Sequence, residues 1–242
     1  MRRFLNPARL YQHSAAAAAM PQALTLKSLP LFPLSTVLYP GGLLPLQIFE
    51  VRYLDMVGKA YKAGAPFGIV SLTQGAEVQR IAAAPEASQQ PTGGAFAQEI
   101  FHTVGTLATI TEFAAPQAGL LVIQCLGSQR FEIERREKLK HGLWVADVTC
   151  LPDDTGVLIP ADLQAGADAL AKVIDGLHSR SSASGPVPLQ APYQLHDCGW
   201  VANRWCELLP LPPALKQRMM VLDNPLVRLE LVNDLLGKMQ II

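Results

Sequence analysis

The chain has 242 residues, of which half are hydrophobic and 17% are charged. Lysine plus arginine and aspartate plus glutamate each number 20, so the formal net charge is zero. A chain of this length and apolar content can bury a sizeable core in one or two domains. The balanced charge argues against a protein whose main task is to hold a phosphate backbone or a membrane surface, because both tasks depend on clustered positive charge.

The first 23 residues differ in character from the rest of the chain. They start with basic residues, but the alanines at 15–19 are too weakly hydrophobic to form the apolar core of a signal peptide. We therefore predict a flexible leader over 1–23. A transit or export leader, or a true start at Met20, are the alternatives.

Two apolar runs separated by a turn make up the segment Leu29–Tyr53. The turn is YPGG at 39–42, where a proline with fixed φ precedes two glycines that adopt positive φ easily. The second run, Leu43–Phe49, leads into Glu50, whose charge suits the start of a helix. A proline removes a backbone donor, so edge or bulged strands are predicted around prolines 30, 33, 40 and 45.

A helix is predicted from Glu50 to Ala63, with Gly64 as its left-handed cap, because apolar residues recur there at near-helical spacing. A long loop is predicted for Thr73–Gln98, where no period is sustained. Successive strands with short turns predict an antiparallel sheet that closes into a barrel or curves strongly. The predicted strands are 66–72, 103–113, 120–126, 130–136 and 143–151.

Beyond residue 152 the pattern becomes helical. Helices are predicted at 163–177, 196–209, 212–222 and 225–238, with a Ser/Gly/Pro-rich linker at 179–188.

The order of these motifs resembles the N-terminal substrate-binding domain of Lon proteases. The resemblance runs from residue 24 to the end of the chain and implies an α+β fold. That fold is a PUA-like antiparallel β-barrel with one inserted helix over 24–151, followed by a C-terminal helical bundle over 152–242. The matching motifs are PLFPL at 30–34, PGG at 40–42, PLQIFEVRY at 45–53, VGTLATI at 104–110, GSQRFEI at 127–133, GWVANRWCELLPL at 199–211 and KQRMMVLDN at 216–224.

The resemblance implies a module that binds polypeptide and performs no reaction. Lon proteases also carry an ATPase and a Ser-Lys peptidase, but this sequence has no G-x-x-x-x-G-K-[ST] loop to hold phosphates. We predict a cytoplasmic protein in protein quality control, without metal or cofactor. Its predicted partners are unfolded or exposed hydrophobic polypeptide segments, with weak homo-oligomerisation, and neither nucleic acid nor membrane. RNA binding by the PUA-like barrel is the alternative function.

The substrate-binding residues implied by the opening motif combine aromatic and charged side chains. Glu50 and Arg52 have two interpretations: a polar clamp beside an apolar groove, or a helix-start carboxylate with an internal ion pair. The predicted set is Phe32, Tyr39, Phe49, Glu50, Arg52 and Tyr53.

Other chemistry finds little support in the sequence. The adjacent residues His196, Asp197 and Cys198 point in different directions on a helix, so we predict a capping aspartate and a core cysteine rather than a catalytic relay. The four cysteines have no paired spacing, which favours reduced core thiols over disulfides or zinc. A basic cluster is interleaved with glutamates, which favours a solvated strand; its members are Arg130, Arg135, Arg136, Lys138 and Lys140.

Overall fold

The computed structural model describes residues 23–74, 99–184 and 187–242. The predicted leader and the predicted loop Thr73–Gln98 therefore fall almost entirely outside the described residues. The strands are β1 Thr25–Leu34, β2 Leu43–Ile48, β3 Phe67–Gln74, β4 Ile100–Phe101, β5 Val104–Gln117, β6 Leu120–Lys138 and β7 Trp144–Cys150. The helices are α1 Val51–Ala63, α2 Gln164–Ser184, α3 Cys198–Leu208, α4 Pro213–Val221 and α5 Pro225–Lys238, with a 3-10 turn at Ala161–Leu163.

The described strands form one sheet in the order β1-β7-β6-β5-β3-β4, and β2 pairs with β6 off this path. The pairings are antiparallel except for β1 with β3, which run parallel. The α+β class and the largely antiparallel sheet with one helix between β2 and β3 are thus confirmed.

The first strand, predicted to lie at an edge or to be bulged, has one partner strand along each of its halves. β1 pairs with β7 from Thr25 to Leu31 and with β3 from Leu31 to Leu34. Pro30 and Pro33 therefore lie in different halves of the strand, and each half has one partner. A proline is tolerated under these conditions because its missing donor belongs on the side without a ladder. The predicted bulge is also present, between Leu26 and Leu29.

One long strand replaces two predicted ones. β6 continues through Gly127, where the sequence suggests a break. A side-chain Cβ at Gly127 would lie 2.3 Å from the carbonyl oxygen of Tyr39, so this glycine permits a close backbone approach rather than a turn. The turn at 41–42 and strand β6 are joined there by two hydrogen bonds, each 2.8 Å long. One runs from the Gly41 amide to the Gly127 carbonyl, and the other from the Gly127 amide to the Gly42 carbonyl.

The helices begin and end close to their predicted positions. α1 ends at Gly64, which adopts φ +59° as a left-handed cap. The Asp197 carboxylate caps α3 by accepting from the Trp200 amide, and Asn224 caps α5 by accepting from the amides of residues 226 and 227. The second helix extends to Ser184, seven residues past its predicted end.

Three apolar clusters form the core. Two lie on the sheet, one of them beneath α1, and a third lies among α2, α3, α4 and α5. Two buried arginines join the helices to the strands. Arg130 of β6 pairs with Asp154 at 3.6 Å and with Asp223 at 3.1 Å, while Arg228 of α5 also pairs with Asp154. Across residues 23–74, 99–184 and 187–242, no helix has the length and apolarity needed to cross a membrane.

Candidate functional site

A recess of about 180 Å³ opens between β2, the end of β1 and the start of α1. Its buried wall includes Phe32 and Tyr53, whose rings stack with centroids 4.0 Å apart. Phe49 lies at its rim with 52% of its surface exposed. We call this cavity the β2 recess; it is lined by Phe32, Leu34, Pro45, Leu46, Gln47, Ile48, Phe49, Glu50 and Tyr53.

One edge of β2 borders this recess without a partner strand among the described residues. The register pairs Leu43 with Leu126 and Leu44 with Cys125, and the next pair, Gly42 with Gly127, is hydrogen-bonded. Because an antiparallel ladder alternates, residues 44, 46 and 48 direct their backbone groups to β6. Residues 43, 45 and 47 direct theirs to the free edge. Pro45, which has no N–H, therefore lies where no ladder bond is lost.

Arg52 lies beside the recess in a buried ionic network. Its guanidinium pairs with Glu99 at 2.9 Å and with Glu50 at 3.1 Å, and it donates to the Gly142 carbonyl at 2.9 Å. It also lies over the Tyr53 ring, 4.5 Å from the centroid. These contacts match the second interpretation of Glu50 and Arg52, an internal ion pair at the start of the helix. They join α1 to the strands.

The two carboxylates of this network have opposite pKa shifts. Burial raises the pKa of Glu50 above its ordinary 4.5, against the opposing charge of Arg52. Burial acts in the same direction on Glu99, but hydrogen bonds from Arg52, Trp144 and Lys138 outweigh it and hold the pKa of Glu99 below 4.5. The Trp144 ring donates its N–H to Glu99 at 2.7 Å.

Glu99→Gln is expected to lower the free energy of unfolding by about 2 kcal/mol at neutral pH, because a buried acceptor of three donors loses its charge. The folded pKa is depressed, so this stabilisation is present above pH 4.5 and disappears as the pH falls through the folded pKa. Urea unfolding from about pH 7 to about pH 3 should therefore show the difference between parent and variant shrinking. Exposed Glu134→Gln should match the parent throughout, and a constant difference for Glu99→Gln would contradict this assignment.

Tyr39 lies apart from the other predicted binding residues. It is fully buried against the helices, and its hydroxyl donates to the Lys216 carbonyl at 2.6 Å. Burial raises the pKa of Tyr39 far above its ordinary value. The structure thus brings Phe32, Phe49, Glu50 and Tyr53 to one recess, with Arg52 alongside, and places Tyr39 elsewhere.

The candidate catalytic residues and the basic cluster discussed in the sequence analysis have contacts typical of structural roles. The Asp197 carboxylate accepts from the backbone amides of Val157 and Trp200, while Cys198 and Cys206 are completely buried as free thiols. Burial raises the pKa of both thiols. In the basic cluster, Arg130 is buried in ion pairs, whereas Arg135, Arg136 and Lys140 are exposed and are interleaved with exposed glutamates.

A second concavity was not predicted from the sequence. A groove of about 550 Å³ lies between α4 and α5, with His102 beside β4 at its side. The sequence does contain a signal, since Leu231 and Leu235 are one turn apart, with Leu231 exposed and Leu235 at the border of the buried stripe of α5. We call it the α4–α5 groove; it is lined by His102, Leu215, Gln217, Arg218, Met219, Val221, Leu222, Leu231, Asp234, Leu235 and Lys238.

Comparison with known proteins gives a consistent result. A family model described as the ATP-dependent protease La (LON) substrate-binding domain matches residues 28–238. The chain is similar to a Lon N-terminal domain protein from Xanthomonas campestris, with a TM-score of 0.60 and 27% identity, covering 86% of this chain and 98% of that one. The N-terminal domain of the Mycobacterium avium complex Lon protease shares the fold, with a TM-score of 0.50 and 17% identity, covering 86% and 97%. No curated protein matches the chain.

Proposed function

Because the chain belongs to the family of Lon substrate-binding domains, we propose that it is a non-catalytic module that binds unfolded polypeptide in the β2 recess. The observation that carries this proposal is the position of the recess beside the free edge of β2. An apolar cavity next to backbone groups that pair with no described strand suits an extended chain, since the edge can bond its backbone and the cavity can take a side chain.

Strand addition assigns separate tasks to the residues of the site. The backbone groups of Leu43 and Gln47 would bond the incoming chain, which makes binding largely independent of its sequence. Phe49, half-exposed at the rim, would cover an apolar side chain seated against Phe32 and Tyr53. Arg52 acts as a positioning residue, because its ion pairs hold the start of α1 against the strands.

The wider role is inferred from the family and the sequence. We propose that the protein acts in cytoplasmic protein quality control, and that any cleavage of its clients is performed by a separate protease. We further propose that the sheet is a PUA-like barrel over 24–151 and that residues 152–242 form a helical bundle. The RNA-binding alternative is less well supported, because the exposed members of the basic cluster are interleaved with exposed glutamates and Arg130 is buried in ion pairs.

Phe49→Ser is expected to weaken binding of a reduced, carboxymethylated and permanently unfolded model protein by about tenfold. Loss of a half-exposed aromatic contact corresponds to roughly 1–2 kcal/mol. The measurement is a titration followed by tryptophan fluorescence. Tyr61→Ser is the matched control, because Tyr61 is a similarly exposed aromatic residue, 48% exposed on α1, that does not line the recess.

Equal affinity of the parent and Phe49→Ser would remove the recess from the proposal. Absence of saturable binding by the parent would remove the polypeptide-binding function itself. Binding of single-stranded RNA that weakens steeply with added salt would favour the alternative instead.

A further inference from the structure

The α4–α5 groove has an apolar floor and a charged rim, and it is lined by residues of α4, of α5 and of the segment between them. The lining residues of α4 include Leu215 and Arg218, one turn apart, and Leu222 follows directly after the helix; on α5 the lining residues are at positions 231, 234, 235 and 238. The α5 set follows i, i+3, i+4, i+7 spacing, so it lies along one face for two helical turns, about 10 Å. An apolar floor bordered by such a helical face has the form that receives an amphipathic helix.

The apolar part of this surface is open to solvent. Val221 is 41% exposed and Leu231 is 43% exposed, although both α4 and α5 also bury a separate apolar face in the core. Burying such exposed side chains contributes roughly 25 cal/mol per Å² of apolar surface, so an occupant of the groove gains binding energy from its floor.

The charges at the rim indicate which occupant is favoured. Arg218 and Lys238 are exposed and make no ion pair with any described residue, and Asp234 is the single carboxylate among the described residues that line the groove. The rim is thus net positive, which favours a partner carrying carboxylates.

The same charges disfavour two other occupants. Residues 1–22 of this chain contain Arg2, Arg3 and Arg9 and no acidic residue, so they would be repelled by the rim. A second copy of the chain, meeting this groove with its own, would bring together two net positive rims.

We propose that the α4–α5 groove binds an amphipathic helix of another protein, whose apolar face is flanked by aspartates or glutamates. This site is separate from the β2 recess and binds a helical rather than an extended segment. The protein would therefore hold an unfolded client in one place and a folded acidic partner in another.

The test uses two labelled helical peptides of about 15 residues. Both carry the same leucine face, flanked by glutamates in one and by lysines in the other. Fluorescence anisotropy at low ionic strength should show saturable binding of the glutamate peptide, with the lysine peptide at least about tenfold weaker.

Charge exchange provides the sharper measurement. The double variant R218E/K238E should lose about tenfold in affinity for the glutamate peptide and gain affinity for the lysine peptide, because both positions are exposed. Leu231→Ser should weaken binding of both peptides. Phe49→Ser should leave the glutamate peptide bound as in the parent, which separates this site from the β2 recess.

Three results would overturn the proposal. The first is equal affinity for the two peptides in the parent, and the second is no saturable binding of either. The third is dimerisation of the parent in sedimentation experiments that Leu231→Ser abolishes, since a second copy would then occupy the groove.

Discussion

Arg228→Ala is expected to lower the free energy of unfolding by about 3–5 kcal/mol. The Arg228 side chain is only 1% exposed. It donates to both carboxylate oxygens of Asp154, to the Asn203 side-chain oxygen at 2.9 Å and to the Leu222 carbonyl. Its removal leaves a partly buried carboxylate and a buried amide oxygen without this donor, and such groups are costly when unpaired.

Equilibrium urea unfolding measures the effect, and Arg135→Ala is the matched control. Arg135 is 77% exposed on its side chain, and its contact with Glu137 is 3.7 Å long. An exposed pair of this kind contributes roughly 0–1 kcal/mol. Similar losses for the two variants would contradict the role assigned to Arg228 in joining α5 to the Asp154 loop.

Gly105→Ala is expected to destabilise the protein by about 3 kcal/mol through overpacking. A Cβ at Gly105 would lie 2.4 Å from the Ile69 carbonyl oxygen and 2.6 Å from the Phe131 ring. The carbonyl belongs to a paired strand, so the neighbour has little freedom to move away.

Gly58→Ala provides the comparison with the opposite expected sign. Gly58 lies inside α1, and a Cβ there would meet nothing within 4 Å. The substitution should raise the free energy of unfolding by about 0.5–1 kcal/mol, because alanine loses less backbone entropy in a helix. Urea unfolding of both variants checks the pair, and a tolerated Gly105→Ala would contradict the close approach of β3 and β5.

Four residues of the predicted binding set, Phe32, Phe49, Glu50 and Tyr53, line one recess because most of its lining is nearly contiguous in the chain; their role in binding stays a prediction. Pro45 to Tyr53 supply most of its lining, and one motif contains them. The periodicity of α1 and the cap at Gly64 were equally local, so the helix boundaries were predicted closely. Local signals of this kind depend on a residue and its neighbours in the chain.

Features that depend on distant contacts were not predicted. Arg52 and Glu99 are 47 residues apart, and no local pattern joins them. Gly127 resembled a strand break because its contact with the Tyr39 carbonyl is made across the fold. The α4–α5 groove likewise combines residues from two different helices. Tyr39 was predicted to be a binding residue because no local pattern shows that the helices cover it.

Pro45 has a consequence for how the protein behaves at high concentration. An open strand edge is normally a template on which further copies of the same chain can stack and grow into fibrils. Here the edge lacks one N–H at its centre, because residue 45 is a proline. When two copies pair through β2, each copy therefore fails to donate one hydrogen bond between the strands. A client without proline brings all of its own donors. If the proposed function holds, the edge would thus accept a foreign strand more readily than it would support filament growth by the protein itself.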